Sequence, residues 1–349
     1  MNQLKCGRRR RTRRARPSGG TEICLPDGIH GANIRVVIVH VAEDFGIHLT
    51  AVDVVTGGVD RAAQNFLGRT ETATYAIKWS AGGSAAGLVV PGALADRGLR
   101  AVAAPVRTRD GRLCSERDGR RLSVTPWVGD RNGLDGGLDE AQWREFGALL
   151  AATHALPVTP ELAAVLPVAG HDRELAATRA TEALLHASPP ADAIAAETRN
   201  LWMDNAEHIA AAVDRVESLA SAVTPSTVCH TDPHLGNVLA APGRMWLIDW
   251  DDAALSTPEH DLMFVLGGAY GDEHIGDRER DWFFEGYGPV TVDPRRLAYW
   301  RASRGLVDVA FLAGEAYTPG DHGDTWRARA VRLLAANLGP AGLLARAMD

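Results

Sequence analysis

Asp232 stands five residues before Asn237, and Asp249 follows twelve residues after that amide. They belong to Cys229-His230-Thr231-Asp232-Pro233-His234-Leu235-Gly236-Asn237 and to Leu247-Ile248-Asp249-Trp250-Asp251-Asp252. Between the two stretches lies Ala241-Pro242-Gly243-Arg244, a turn signal flanked by apolar runs. The second run is therefore expected to fold back beside the first as a hairpin. Asp232, Asn237 and Asp249 then converge at one end of it. Such hard oxygen ligands suit magnesium, and a neighbouring carboxylate can orient a substrate hydroxyl, as phosphoryl transfer requires.

His230 and His234 open a second reading. With Asp232 between them and Asp249, Asp251 and His260 nearby, imidazole and carboxylate at two-residue spacing could ligate zinc in a metal-dependent hydrolase. Asn237 is a ligand that zinc would not favour, which weighs toward magnesium.

The elements upstream must bring a partner to this cluster. Leu49–Val55, Ala62–Leu67 and Thr74–Trp79 read as strands from their β-branched and apolar content. The turn after the first holds Gly57 and Gly58, where the lack of a Cβ lets backbone approach phosphate oxygens, although an ordinary hairpin also uses such a pair. No G-x-x-x-x-G-K-[ST] occurs, so a P-loop enzyme is not supported. Lys78 interrupts the apolar run Tyr75-Ala76-Ile77-Lys78-Trp79. An edge strand uses lysine against aggregation, but with the carboxylates downstream a phosphate contact is the better reading.

His230-x-Asp232-x-His234-x-Gly236-Asn237 followed by Ile248-Asp249-Trp250 resembles the catalytic segment of the aminoglycoside phosphotransferases. Choline, homoserine and fructosamine kinases share the pattern more loosely. The continuation through Pro258-Glu259-His260-Asp261-Leu262-Met263-Phe264 is similar to the spectinomycin phosphotransferase branch. The resemblance implies an α+β, two-lobed protein-kinase-like fold, with a small β-rich N-lobe and a larger helical C-lobe. It implies ATP and Mg2+ as cofactors, Asp232 at the acceptor hydroxyl, and Asn237 and Asp249 on the metal. Lys78, on a strand like the V-A-I-K strand of kinases, would meet the α/β-phosphates, with Gly57 and Gly58 over the phosphates. His234 would fix the loop or face the γ-phosphate, and His230 would support the loop.

The implied acceptor is a hydroxyl of a cationic aminoglycoside or aminocyclitol, spectinomycin-like, with antibiotic resistance as the outcome. Choline, homoserine and a fructosamine are the rival acceptors, and an inactive nucleotide-binding protein is a further alternative. Asp251 and Asp252 would face the substrate amines or cap the following turn. Asp261 is expected as the buried acid that ties down the catalytic loop. The acids Glu285, Asp308 and Glu315 and the aromatics Tyr287, Trp300 and Tyr317 lie on late helices, where the family builds its acceptor pocket. One departure stands out: a kinase-like lobe supplies a glutamate on the helix after the lysine strand, and residues 80–97 contain none.

The remaining segments divide the chain. Ile34–Val41 has the propensity of a strand, yet Gly46 reads as a helix stop, and the resemblance favours a helix. Residues 101–106 and 121–125 read as two further strands, leading to a hinge at Val124–Gly129. Asp139 starts a helix with Gln142 in the capping-box position, and Trp143, Phe146, Leu149 and Leu150 form its core stripe. His154 is expected to be structural or exposed. Ala-rich helices are expected over 171–187, 191–222, 258–268, 274–287, 293–316 and 322–347. This gives a basic, disordered arm (1–30), a nucleotide-binding lobe (31–125) and a helical catalytic and substrate lobe (126–349).

Bulk properties set outer bounds. The 349 residues are 46% hydrophobic and 23% charged, in the range of soluble domains, and no apolar run approaches a membrane span. Cysteines at 6, 24, 114 and 229 show no CxxC spacing, which suits the cytoplasm and buried apolar roles. Lys5 and seven arginines crowd residues 1–20, so the formal charge of −7 becomes −15 for residues 21–349. The arm reads as a solvated extension, with no nucleic-acid module downstream and no signal-peptide core. The acidic body favours a cationic small-molecule acceptor through its on-rate.

Overall fold

Ile34, Val37, Val41 and Phe45 recur at helical spacing, and the first helix, α1 (Ile29–Phe45), buries all four. The structure is a computed structural model that describes residues 29–55, 63–82, 84–129, 131–267, 275–320 and 323–348. Gly57, Gly58 and the basic run of residues 1–20 lie outside the described residues. Gly46 ends α1 in the left-handed region (φ 71°), its N–H donating to the Ala42 carbonyl at 3.2 Å. Burial against the sheet thus overrides the strand propensity of the Ile/Val run.

The sheet comprises β1 (Ala51–Val55), β2 (Ala63–Arg69), β3 (Thr74–Ser80), β4 (Ser115–Arg117) and β5 (Arg120–Pro126). The strands are antiparallel in the order β1-β2-β3-β5-β4. Phe66, Ile77, Leu122 and Val124 form one core with α1. Lys78, next to Ile77 in β3, takes the opposite face by strand alternation. The expected strand over 101–106 is absent. Pro105 has no N–H to give a ladder, and the segment makes only a bridge from Val102 to Leu247 and a bond from Val106 N–H to the Val124 carbonyl (2.8 Å). The fifth strand is β4 instead, joined to β5 by Asp118-Gly119, both at positive φ (52° and 68°), as a tight primed turn demands.

Helix α2 (Ala86–Asp96) lies between β3 and β4 in sequence. The helical part follows: α3 (Glu140–His154), α4 (Pro160–Ala163), α5 (Asp172–Ala187), α6 (Ala193–Asp204) and α7 (Ala206–Leu219). Two short antiparallel pairs carry the catalytic segment, β6 (Thr227–Cys229) with β9 (Ala254–Ser256), and β7 (Val238–Ala241) with β8 (Arg244–Leu247). Then come α8 (Pro258–Val265), α9 (Asp277–Tyr287), α10 (Pro294–Tyr317), α11 (Gly323–Leu338) and α12 (Leu343–Met348). The expected single helix over 191–222 breaks at Asn205, between α6 and α7, and 322–347 likewise divides into α11 and α12. The architecture is the two-part kinase-like one, a five-stranded antiparallel sheet followed by a mostly helical part. Among the described residues no helix is long and apolar enough to cross a membrane.

Two further cores support the site. One joins Ala86, Val90 and Leu94 of α2 to Trp143, Phe146, Leu149 and Leu150 of α3 and to Val238, Leu247 and Trp250 around the hairpin. The other surrounds α10, with Trp300, Leu306 and Val309 at its centre. Asp139 caps α3, and the full capping box with Gln142 is present. Gly147 on α3 and Gly286 on α9 let the two backbones touch: a Cβ on either would overlap a carbonyl of the other helix, that of Phe283 or of Arg144.

Candidate active site

Strand β6 delivers the chain into the loop His230–Asn237, and a buried carboxylate fixes the turn. Asp261, the fourth residue of α8, accepts the backbone N–H groups of His230 (2.9 Å) and Thr231 (2.7 Å). His154 Nε2 lies 2.9 Å from the same carboxylate, and its Nδ1 is 2.7 Å from the Tyr287 hydroxyl. Burial alone would raise the Asp261 carboxyl, but the His154 hydrogen bond and the charges of His154, His230 and His260 hold it below its ordinary value. Thr231 adopts φ 71°, unusual for a β-branched residue and worth about 1–3 kcal/mol of strain. Its N–H bond to Asp261 and its hydroxyl bond to the Asp252 carbonyl (2.8 Å) hold it there.

Both rings expected in the loop have structural partners. His230 Nδ1 accepts the Asp232 N–H (3.2 Å), and Nε2 donates to the Ile248 carbonyl (2.9 Å). Neither nitrogen is left for a metal. His234 Nδ1 accepts the Gly236 N–H (3.0 Å) and starts the 3-10 turn Leu235–Asn237. Its Nε2 lies 3.7 Å from Asp232 Oδ2. Among the described residues, the one cluster of three metal-capable groups is His154, Cys229 and Asp261. All three are already in hydrogen bonds, the Cys229 thiol to the Thr257 carbonyl at 3.4 Å. The zinc ligands expected as an alternative, His230, His234, Asp232, Asp249, Asp251 and His260, form no such cluster among the described residues.

The hairpin forms where the turn signal placed it, with Ala241 paired to Arg244 and Val238 to Leu247. One step beyond the last pair, Ile248 N–H donates to the Asn237 carbonyl (3.0 Å). The Asn237 amide nitrogen donates to the Asp232 carbonyl (2.9 Å), which fixes the orientation of the side-chain amide. Asp249 follows Ile248 at φ 61°. Burial, and then the charge of Asp251, push its carboxyl above the ordinary range, while Lys78 and His230 oppose them. A hard divalent cation would offset this crowding of carboxylates, and an amide oxygen with a carboxylate is a donor set magnesium accepts. The residues fit the metal.

Two further groups complete the geometry. Asp251 forms an ion pair with Lys78 across 173 residues, so it is engaged with the sheet rather than presented to a substrate. Asp252 is exposed, and its backbone carbonyl serves Thr231. On the other side, Arg304 of α10 places Nη1 2.7 Å from Asp232 Oδ1 and Nε 2.9 Å from Asp308 Oδ1. Its guanidinium lies 5.5 Å from the Phe264 ring centroid. Burial pushes the Asp308 carboxyl up to about 6, against the opposing charge of Arg304. The other late-helix groups are taken up elsewhere: Glu285 by Arg144, Glu315 by the Trp326 indole, Tyr317 by the Ser188 carbonyl. Sequence reasoning missed Arg304, because only the packing of α10 brings it to Asp232.

The model of the phosphotransferase enzyme family matches residues 92–300, more than half of the chain. The chain belongs to that family. It is therefore a phosphotransferase with an alcohol group as acceptor. No curated protein matches this phosphotransferase by sequence search. Its fold is similar to that of spectinomycin phosphotransferase APH(9)-Ia in complex with ADP and spectinomycin, at TM-score 0.79 and 24% identity, over 90% of this chain and 97% of that one. A thermostable mutant of aminoglycoside phosphotransferase APH(4)-Ia, with AMP-PNP and hygromycin B, matches at TM-score 0.54 and 15% identity, over 90% and 99%. The macrolide 2'-phosphotransferase MphH from Brachybacterium faecium matches at 0.51 and 16%, over 86% and 97%.

Proposed function

We propose that this phosphotransferase moves the γ-phosphoryl group of ATP to a hydroxyl of a small cationic acceptor, with an aminocyclitol of the spectinomycin kind as the first candidate. The observation that carries this reading is that Asp232 meets Arg304 through its carboxylate and the Asn237 amide through its backbone carbonyl. Arg304 engages Oδ1. Oδ2 is then the oxygen that takes the acceptor hydroxyl, orients it and receives its proton as the new O–P bond forms and the bond from phosphorus to the ADP oxygen breaks, releasing ADP. Asn237 and Asp249 would hold magnesium, which when bound neutralises charge on the phosphates. Lys78 is assigned to the phosphates from the sheet side, next to Asp251.

The acceptor class rests on charge. With −15 over residues 21–349, the body attracts amines and repels anions, chiefly through the association rate. The likeness to a structure holding spectinomycin supports the same choice. Inactivation of an antibiotic would be the consequence in the cell. The test is an ADP-release assay across aminocyclitols, aminoglycosides, choline and amino-sugar acceptors. Turnover of an amine-bearing acceptor is expected. Turnover of neutral or anionic acceptors alone would overturn the cationic class, and no magnesium-dependent nucleotide turnover with any acceptor would overturn the reading as a whole.

A further inference from the structure

The missing glutamate has a geometric explanation. Along residues 80–97 the single acid is Asp96, at the far end of α2, and Arg107 binds it at 2.8 Å. Near the start of α2 stands Gly87. A Cβ at that position would overlap Asp251 Oδ1 and lie 3.1 Å from the Asp251 Cα. The volume a side chain on this turn of α2 would fill is thus filled by Asp251, whose Oδ2 meets the Lys78 ammonium.

We propose that Asp251 is the positioning residue for Lys78, replacing an acid on the following helix, and that Gly87 is the change on α2 that admits it. This deepens the phosphotransferase reading and rests on it, since it assumes that Lys78 meets the nucleotide phosphates. A carboxylate beside the ammonium keeps it charged and aimed, as the helix glutamate does in kinases. The substitution alters what the pair depends on. A helix-borne acid can be withdrawn by moving the helix, whereas Asp251 is two residues from Asp249, on the segment that carries the metal site. Ala86, Val90 and Leu94 of α2 share a core with Trp250, so helix and segment are packed together. Nucleotide lysine and metal ligand are therefore aligned by one backbone segment, with no helix swing required.

The experiment measures binding of magnesium AMP-PNP by calorimetry, with kcat and both KM values, for wild type and for Lys78→Ala, Asp251→Asn, Asp251→Ala, Gly87→Glu and the pair Asp251→Ala/Gly87→Glu. Asp251→Asn keeps the volume and removes the charge, and is expected to weaken nucleotide binding about ten-fold, approaching Lys78→Ala, with acceptor KM unchanged. Gly87→Glu alone is expected to be impaired by the overlap, and Asp251→Ala/Gly87→Glu to recover most of the affinity lost in Asp251→Ala. Wild-type nucleotide affinity in Asp251→Asn, or a raised acceptor KM with nucleotide affinity intact, would overturn the proposal while leaving the phosphotransferase reading standing. Absence of nucleotide binding in the wild type would overturn both.

Discussion

Arg304 touches Asp232 and Asp308 at once, at 2.7 and 2.9 Å, so one guanidinium ties the candidate catalytic carboxylate to a buried acid one turn along α10. One guanidinium nitrogen holds Asp232 Oδ1 while another holds Asp308, so the planar group fixes the two acids relative to each other. Arg304→Ala should lower kcat about 10–100-fold, since misplacement of a reacting group costs on that order. Nucleotide affinity should stay within about two-fold, because the proposed phosphate contact, Lys78, lies on β3 and Arg304 on α10. Arg304→Lys should recover little, lacking the fork. Steady-state kinetics with calorimetry reads both quantities, and a normal kcat in Arg304→Ala would remove the positioning role.

Removal of the carboxylate itself should be more severe. Asp232→Ala is expected to lower kcat by about 10²–10⁴ with nucleotide binding nearly intact. Near-normal turnover would show that another group handles the acceptor hydroxyl.

The metal site makes a separable prediction. Activity should vanish on chelation and return with added magnesium. Asn237→Ala should raise the magnesium needed for half-maximal rate about ten-fold or more, since one oxygen ligand is lost and the Asp232 carbonyl loses its donor. An unchanged magnesium curve would place the metal elsewhere.

Asp261 is read as structural, and its loss should appear in stability first. Asp261→Ala leaves the N–H groups of His230 and Thr231 and the His154 ring without their buried acceptor. The expected cost is about 3 kcal/mol or more, read as a lower midpoint in urea. Unchanged stability would mean that the loop is anchored otherwise.

Acid and base titrations in this region oppose each other. His260 stacks on Trp300 (ring centroids 3.9 Å apart), and burial lowers its pKa from 6.5 to about 4, against the nearby charges of Asp261 and Asp232 and with that of Arg304. The unfolded chain then takes up the proton first, so this contribution is present above about 6.5 and is lost as pH falls toward 4. Asp308, raised to about 6, behaves in the reverse sense: its contribution is present below 3.8 and is lost as pH rises through 6. Each amounts to about 3 kcal/mol. In denaturation across pH 4–7 these two contributions should offset each other in the wild type. Asp308→Asn should gain stability with rising pH, and His260→Gln should lose it; parallel curves for all three would refute the opposition.

Much of the site was legible because local rules govern it. The Pro242-Gly243 turn set the hairpin, Asp139 and Gln142 set the start of α3, and the five-residue spacing of Asp232 and Asn237 closes as a bond from the Asn237 amide to the Asp232 carbonyl. The losses were of two kinds. Residues 101–106 looked like a strand by composition, while Pro105 denied them a ladder, and the Asp118-Gly119 signal for the actual pair went unread. The other losses are long-range. Lys78 finds Asp251 across 173 residues and Asp232 finds Arg304 across 72, distances over which no periodicity reports. Gly87 carries no sequence signal of its own, because its approach to Asp251 exists only once α2 is packed.

Helix α3 reaches this machinery at both ends. At its first turn, the Gln142 amide donates to the carbonyls of Ala241 and Arg244, at the tip of the hairpin, at 2.8 and 2.9 Å. At its last residue, His154 braces Asp261 and through it the catalytic loop. Fifteen residues of helix span about 22 Å. The helix is thus a ruler laid across the two strands of the site, and α9, pressed against it through Gly147 and Gly286, is its splint. Loop, hairpin and both helices should open to solvent as one unit.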